Sequence, residues 1–178
     1  MITAVPAYSA ADPGAYVRAM LALVGDRDPV ALLAAAPDRL RAAVAGLSPD
    51  DARRPERDGK WSVLQTLRHL ADSEVVYGYR LRLIVAADRP AIPGYDQDAW
   101  ASRLHYHTGT VEDALGDWAA MRRMTVRWLG ALAPDEWERA GVHSERGEES
   151  VGRIARLLAA HDIAHERQIL RTREALGV

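Results

Sequence analysis

The 178-residue sequence contains no cysteine. Disulfide bonds, thiolate metal ligands and a cysteine nucleophile are therefore excluded, so any thiol chemistry would need a thiol brought by a second molecule. Positive charge is not in excess either, since 23 basic residues stand against 25 acidic ones, and Lys60 is the only lysine. The sequence has no basic cluster of the kind that nucleic-acid-binding proteins carry, and we expect no nucleic-acid partner.

Long apolar runs are also missing. The opening stretch, MITAVPAYSAADPGAY, lacks the basic segment followed by an apolar segment that secretion signals have. No apolar run approaches the roughly 20 residues that a membrane-spanning helix needs. These absences predict a cytoplasmic protein without a membrane partner.

Helical periodicity dominates what remains, which predicts an all-α fold. Ser62 and Gln65 have the spacing of a capping box, and Thr110 is a plausible cap for a later helix. A polar loop is predicted at 143–150, and Pro37 is expected to end or kink the first helical region. Four long helical regions favour a four-helix bundle. They cover residues 13–47, 62–87, 110–132 and 151–176.

Two histidines lie one turn apart in the last helical region. At about 100° per residue, His161 and His165 fall within the apolar stripe of that helix, where two imidazoles can converge on one cation. The alternative is a pair of core histidines, each with its own hydrogen-bond partner. Asp162 stands where zinc-protease helices have glutamate, and it is predicted to be solvated together with Glu166.

A third ligand would come from the second helical region. His69 is the best candidate there, yet it lies on the flank of the apolar stripe, where periodicity alone favours a solvated side chain. Glu74 falls near the centre of the stripe. If it is buried, a metal or an arginine would balance its charge; otherwise it reaches the edge of the bundle.

Two blocks, GKWSVLQTLRHLADSE at 59–74 and LLAAHDIAHERQI at 157–169, make the sequence similar to the DinB/YfiT-like superfamily. The resemblance extends over about residues 28–176. It implies a DinB-like four-helix-bundle domain at 28–178. Residues 1–27, which the resemblance does not clearly cover, are predicted to form an N-terminal helical extension. It also implies a homodimer.

The resemblance implies that His69, His161 and His165 bind a divalent metal ion, zinc or nickel. Characterised members of the superfamily suggest an enzyme that transfers a low-molecular-weight bacterial thiol to an electrophilic small-molecule substrate. Two alternatives stay open: a hydrolase that uses metal-bound water, and a metal-binding stress protein without turnover.

Other histidines leave further alternatives. His105 and His107 are either a second metal clip or part of a polar connection, and the polar connection is favoured. His143 lies in the predicted polar loop and is expected to be exposed.

Several residues near the three histidines are candidates for supporting roles. Asp72 and Ser73 are candidates to orient His69, and Gln168 is a candidate to orient His161 or His165. A purely structural role is favoured for each of them. Trp61 and Tyr77 are interpreted as packing residues.

Overall fold

A computed structural model describes residues 12–178. Over that range the chain forms eight helices and three short strands. The helices are α1 (Pro13–Val24), α2 (Pro29–Ala43), α3 (Pro49–Arg53), α4 (Val63–Ala86), α5 (Gln97–Arg103), α6 (Val111–Leu129), α7 (Pro134–Glu138) and α8 (Val151–Leu176). The strands are β1 (Ala91–Ile92), β2 (Ala140–His143) and β3 (Gly147–Ser150).

Helices α2, α4, α6 and α8 form the bundle. Around it α4 contacts α6, α6 contacts α2, α2 contacts α8, and α8 contacts α4, while α1 packs against α8. Buried apolar side chains of α1, including Val17, Met20 and Val24, join the core formed by α4 and α8. The predicted four-helix bundle is confirmed. The domain boundary after residue 27 stays a prediction, and residues 1–11 of the predicted extension lie outside the described range.

Side-chain caps determine where the bundle helices begin. Ser62 accepts a hydrogen bond from the backbone N–H of Gln65, and the Gln65 side chain accepts one from the backbone N–H of Ser62, which completes the predicted capping box. The Thr110 hydroxyl caps α6 by accepting a hydrogen bond from the backbone N–H of Asp113. Helix α2 continues through Pro37, so of the two predicted alternatives the first, an end of the helix at this residue, is wrong. Among residues 12–178, no helix combines the length and apolar character needed to cross a membrane.

A small sheet replaces the polar loop predicted at 143–150. β2 and β3 form an antiparallel hairpin, and β1 joins β2 in parallel. The three-residue connection ends at Gly147, whose φ of 76° is a conformation that glycine adopts without strain. Strands of two to four residues are too short to show an alternating pattern in the sequence.

Candidate metal centre

Two bundle helices bring three histidines together. Helix α4 supplies His69, and α8 supplies His161 and His165 from successive turns. One ring nitrogen from each residue lies within 4.8 Å of those of the other two. The Nε2 atoms of His69 and His161 are 3.0 Å apart. We call these three residues the histidine cluster.

The cluster is electrically neutral at physiological pH. His69 and His161 are buried, and desolvation, followed by electrostatic repulsion from His165, lowers the pKa of both imidazoles well below the usual value. Burial lowers the pKa of His165 to about 4. Each ring therefore keeps one nitrogen lone pair available to a cation, as metal ligation requires.

A chain of hydrogen bonds orients His165. Its Nδ1 lies 2.8 Å from Oε1 of Gln168, so Nδ1 carries the proton and Nε2 carries the lone pair. The amide of Gln168 then donates to the Thr66 hydroxyl at 3.4 Å, and that hydroxyl donates to the Ser62 carbonyl at 2.9 Å. The orienting role that the sequence suggested for Gln168 therefore applies to His165.

The donor set fits a divalent cation. One proton can link only two of the three ring nitrogens, so hydrogen bonding within the cluster leaves the third without a partner. A single cation can bind all three, and about 3.3 Å between nitrogens is the spacing of a tetrahedral zinc site. The Nδ1 atoms of His69 and His161 are buried with no hydrogen-bond partner among the described residues.

Aromatic and hydroxyl side chains surround the cluster. The Trp61 ring lies 4.8 Å from that of His69, and the Tyr77 ring lies 6.0 Å from that of His161, measured between centroids. The Ser73 hydroxyl is 3.4 Å from Nε2 of His69. Ser73 therefore contacts the His69 nitrogen that faces the other two histidines.

The model of the DinB superfamily matches residues 32–169 of the chain. The chain belongs to the DinB superfamily. Within this superfamily, a protein of Oceanobacillus iheyensis named "Putative metal-dependent hydrolase" is 31% identical over 129 residues, which cover 72% of this chain and 74% of the relative. YfiT of Bacillus subtilis, which carries the same description, is 30% identical over 122 residues, or 67% of each chain.

A solved structure of Bacillus subtilis YfiT resembles this DinB chain with a TM-score of 0.79. The match has 25% sequence identity and covers 84% of this chain and 86% of YfiT. That protein is described as "a probable metal-dependent hydrolase with an unusual four-helix bundle topology". A Geobacillus thermodenitrificans relative with a similar description is 34% identical, although the match spans only 56% of its length.

A buried ion network lies beside the histidine cluster of this DinB chain. Arg122 of α6 donates to Glu74 of α4 at 2.6 and 2.9 Å, and to Asp162 of α8 at 3.1 Å and through a second, shorter contact. These three side chains, the Arg122 network, are each about 1% exposed. Glu74 is thus balanced by an arginine, one of the two partners expected for it.

The prediction that Asp162 is solvated is wrong, because Arg122 reaches it across the diagonal of the bundle. Glu166, also predicted to be solvated, is partly buried and pairs with Arg39 at 2.9 Å. The burial of Arg122 could have been predicted from its spacing. It follows Trp118 by one helical turn and precedes Thr125 by another, so it lies on the same face of α6 as these two residues. An arginine in the apolar stripe of α6 needs buried carboxylates as partners.

The three histidines outside the cluster differ in their exposure to solvent. His105 and His107 are exposed with ring centroids 5.9 Å apart, and no third ligand from residues 12–178 completes a cluster with them. His143 is 2% exposed, so its predicted exposure is wrong; it belongs to β2 rather than to a loop. Asp72, a candidate to orient His69, instead accepts a hydrogen bond from Tyr106 at 2.6 Å, in agreement with the structural role that was favoured.

Proposed function

We propose that His69, His161 and His165 hold a divalent metal ion and that the chain is a metal-dependent hydrolase of a small-molecule substrate. The observation that carries this proposal is the convergence of three neutral, largely buried ring nitrogens within 4.8 Å of one another. The descriptions of the relatives and of Bacillus subtilis YfiT support it. Zinc and nickel are the metals we propose, since both accept imidazole ligands.

A divalent cation held by these three neutral ligands would supply a Lewis acid and would lower the pKa of a bound water or thiol towards neutrality. The protein's contribution is to fix the ligands before the substrate arrives. Gln168 holds His165 in the tautomer that directs the Nε2 lone pair at the cluster. Trp61 and Tyr77 cover two sides of the cluster and limit the access of bulk water there.

The Ser73 hydroxyl can hold a proton beside the reacting position. It lies 3.4 Å from Nε2 of His69 and 3.2 Å from the hydroxyl of Tyr95. Because either hydroxyl of the Ser73 and Tyr95 pair can donate, the pair can accept a proton on one oxygen while releasing one from the other. We assign Ser73 and Tyr95 to proton transfer and substrate orientation.

Transfer of a low-molecular-weight thiol to an electrophile is the second candidate function. It is favoured by the absence of cysteine, since the sulfur nucleophile would then come from a cosubstrate, and by ligands that carry no negative charge. Hydrolysis releases product without any thiol, whereas transfer requires stoichiometric thiol. Product formation measured with and without added thiol separates the two reactions.

Metal content tests the shared premise. The purified chain is dialysed, reloaded with zinc, nickel or manganese and analysed for bound metal, in parallel with His69→Ala, His165→Ala and His107→Ala. The first two variants each remove one nitrogen of the cluster, whereas the exposed His107 is the matched control. We expect about one metal ion per chain for the original sequence and for His107→Ala, and strong loss in the other two.

Failure of the original sequence to retain any of the three metals would refute the proposal, as would equal loss in all three variants. Thermal unfolding gives an independent measurement, because a ligand that binds only the folded state raises the midpoint temperature in the original sequence and in the control. The homodimer stays a prediction, which sedimentation analysis would check.

A further inference from the structure

Arg80, near the end of α4, is a buried cation without a carboxylate partner. Its side chain is 4% exposed, and one Nη donates to the Pro93 carbonyl at 2.7 Å. Within residues 12–178, its buried Nε has no hydrogen-bond partner. In the same range no carboxylate lies within 4.0 Å of the guanidinium. The rings of Tyr77 and Tyr95 lie 5.6 and 5.9 Å from Cζ and offset part of the charge, but the unsatisfied buried donor remains costly.

His143 supplies a second unused donor close by. Its Nδ1 accepts the backbone N–H of Glu145 at 3.1 Å, so the proton of the neutral ring must be on Nε2. That Nε2 is buried and has no hydrogen-bond partner among residues 12–178. In the sheet, His143 pairs with Ile92, and the next residue is Pro93, whose carbonyl binds Arg80. Two buried donors without hydrogen-bond partners therefore lie on adjacent segments.

Among residues 12–178, no acceptor lies within hydrogen-bond distance of these two donor atoms. Glu149 acts electrostatically on both Arg80 and His143, but Arg146 engages its two carboxylate oxygens through two hydrogen bonds of 2.8 Å. Arg80, Arg146 and Glu149 together carry a net charge of +1. Desolvation lowers the pKa of Arg80, and burial followed by repulsion from the neighbouring arginines lowers that of His143 to about 4. The unsatisfied donors point to an acceptor that comes from outside the chain.

Arg80 is close to the histidine cluster. The Tyr77 ring is near both: its centroid is 5.6 Å from Cζ of Arg80 and 6.0 Å from the ring of His161. The guanidinium carbon is therefore at most about 12 Å from the His161 ring. A small molecule can span that distance, with one end on Arg80 and the other at the histidines.

We propose that Arg80 and His143 bind a carboxylate group of the small-molecule substrate that reacts at the histidine cluster. This inference rests on the proposed function for the identity of the reacting end, but the anion site itself does not. One positive charge and two N–H donors match a carboxylate, which has a single negative charge and two acceptor oxygens. A phosphate dianion needs more donors and more positive charge than the pair supplies.

Sodium butyrate is the probe for the site, titrated at constant ionic strength into metal-free and zinc-loaded protein. The readout is the Nε–H resonance of Arg80, assigned by through-bond correlation and by its absence in Arg80→Lys. Arg82→Lys is the matched control, because Arg82 lies on the same helix, donates to the Gly78 carbonyl at 2.8 Å and stacks on Trp128 at 5.2 Å. Inorganic phosphate is the second probe.

We expect a saturable shift of the Arg80 resonance with butyrate. Butyrate should bind at least about tenfold more weakly to Arg80→Lys, which keeps the charge but loses the Nε donor, and within about twofold of normal to Arg82→Lys. If Arg80→Lys does not fold, His143→Phe tests the second donor with Arg80 intact, and weaker binding is again expected. An unmoved Arg80 resonance, or phosphate binding more tightly than butyrate, would overturn the proposal.

A separate experiment measures how close bound butyrate lies to the histidine cluster. Butyrate bound to cobalt-loaded protein should show paramagnetic relaxation that is absent with zinc, because the separation is about 12 Å or less. No enhancement would overturn the link between the two sites. If the protein binds no metal while the Arg80 resonance still responds to butyrate, the anion site stands and the proposed metal-dependent function fails.

Discussion

Replacing Arg122 with methionine removes the only cation of the Arg122 network and leaves the Glu74 and Asp162 carboxylates buried together. All three side chains are about 1% exposed, so water cannot replace the lost partner without local unfolding. Breaking a buried ion pair costs about 3–5 kcal/mol. A value of about 4 kcal/mol would lower the midpoint of thermal unfolding by about 8–16 °C in a chain of this length.

Urea unfolding of metal-free protein at pH 7 is the assay, with Arg123→Met as the matched control. Arg123 is the next residue on α6 and is exposed, so its replacement should change the free energy of unfolding by no more than about 0.5 kcal/mol. A loss of less than about 1 kcal/mol in Arg122→Met would refute the reasoning. It would mean that the carboxylates are not held as buried anions.

The pH dependence of Arg122→Met gives a second check. Without the guanidinium, burial and repulsion from Glu74 raise the pKa of Asp162 further in the folded variant, so the folded state binds more protons than the unfolded state. The stability deficit of the variant should therefore shrink as the pH falls from 7 towards 5. Adding Glu74→Gln and Asp162→Asn to the variant should recover at least half of the lost stability, since both unpaired charges are removed.

Three further predictions concern single positions. Burial lowers the pKa of His143 to about 4, so the unfolded chain binds the extra proton, and the contribution of this residue to stability should fall by about 3 kcal/mol as the pH drops from 6.5 to 4. His143→Gln should remove that part of the pH dependence and leave the part due to the histidine cluster. Gln168→Ala should weaken zinc binding about 10–100-fold by calorimetry, while exposed Gln97→Ala leaves it unchanged. A Cβ on Gly141 would lie 2.8 Å from a side-chain atom of β1, so Gly141→Ala should cost about 1–3 kcal/mol in urea unfolding, whereas Gly116→Ala, with open space around it, should gain about 0.5–1 kcal/mol.

The sequence predicted the features that depend on local spacing. The capping box at Ser62, the start of α6 after Thr110 and the extent of α8 are confirmed because caps and helical periodicity act within a few residues. His161 and His165 share a face for the same reason. The prediction of His69 as the third ligand depended on the family resemblance, since its helical position alone placed it on the flank of the apolar stripe.

Features that depend on distant partners were missed. Asp162 looked solvated on a helical wheel, because nothing in α8 indicates that an arginine 40 positions earlier lies opposite it. His143 looked exposed because strands of this length leave no pattern, and its burial comes from pairing with β1 some 50 residues away. Both errors concern tertiary contacts, which single-sequence periodicity does not encode.

The two charged groups beside the histidine cluster have opposite effects on a bound cation. The Arg122 network carries a net charge of −1 and includes Asp162, the neighbour of His161, so it favours a cation on the three neutral ligands. Arg80 opposes that cation until an anion neutralises it. At about 12 Å and an effective dielectric constant of 20 to 80, this repulsion is about 1–3 kcal/mol.

Butyrate should therefore tighten zinc binding, and zinc should tighten butyrate binding by the same factor, as linkage requires. Zinc affinity measured with and without saturating butyrate, in the original sequence and in Arg80→Lys, checks this, and independence of the two ligands in the original sequence would show that Arg80 does not act on the metal site.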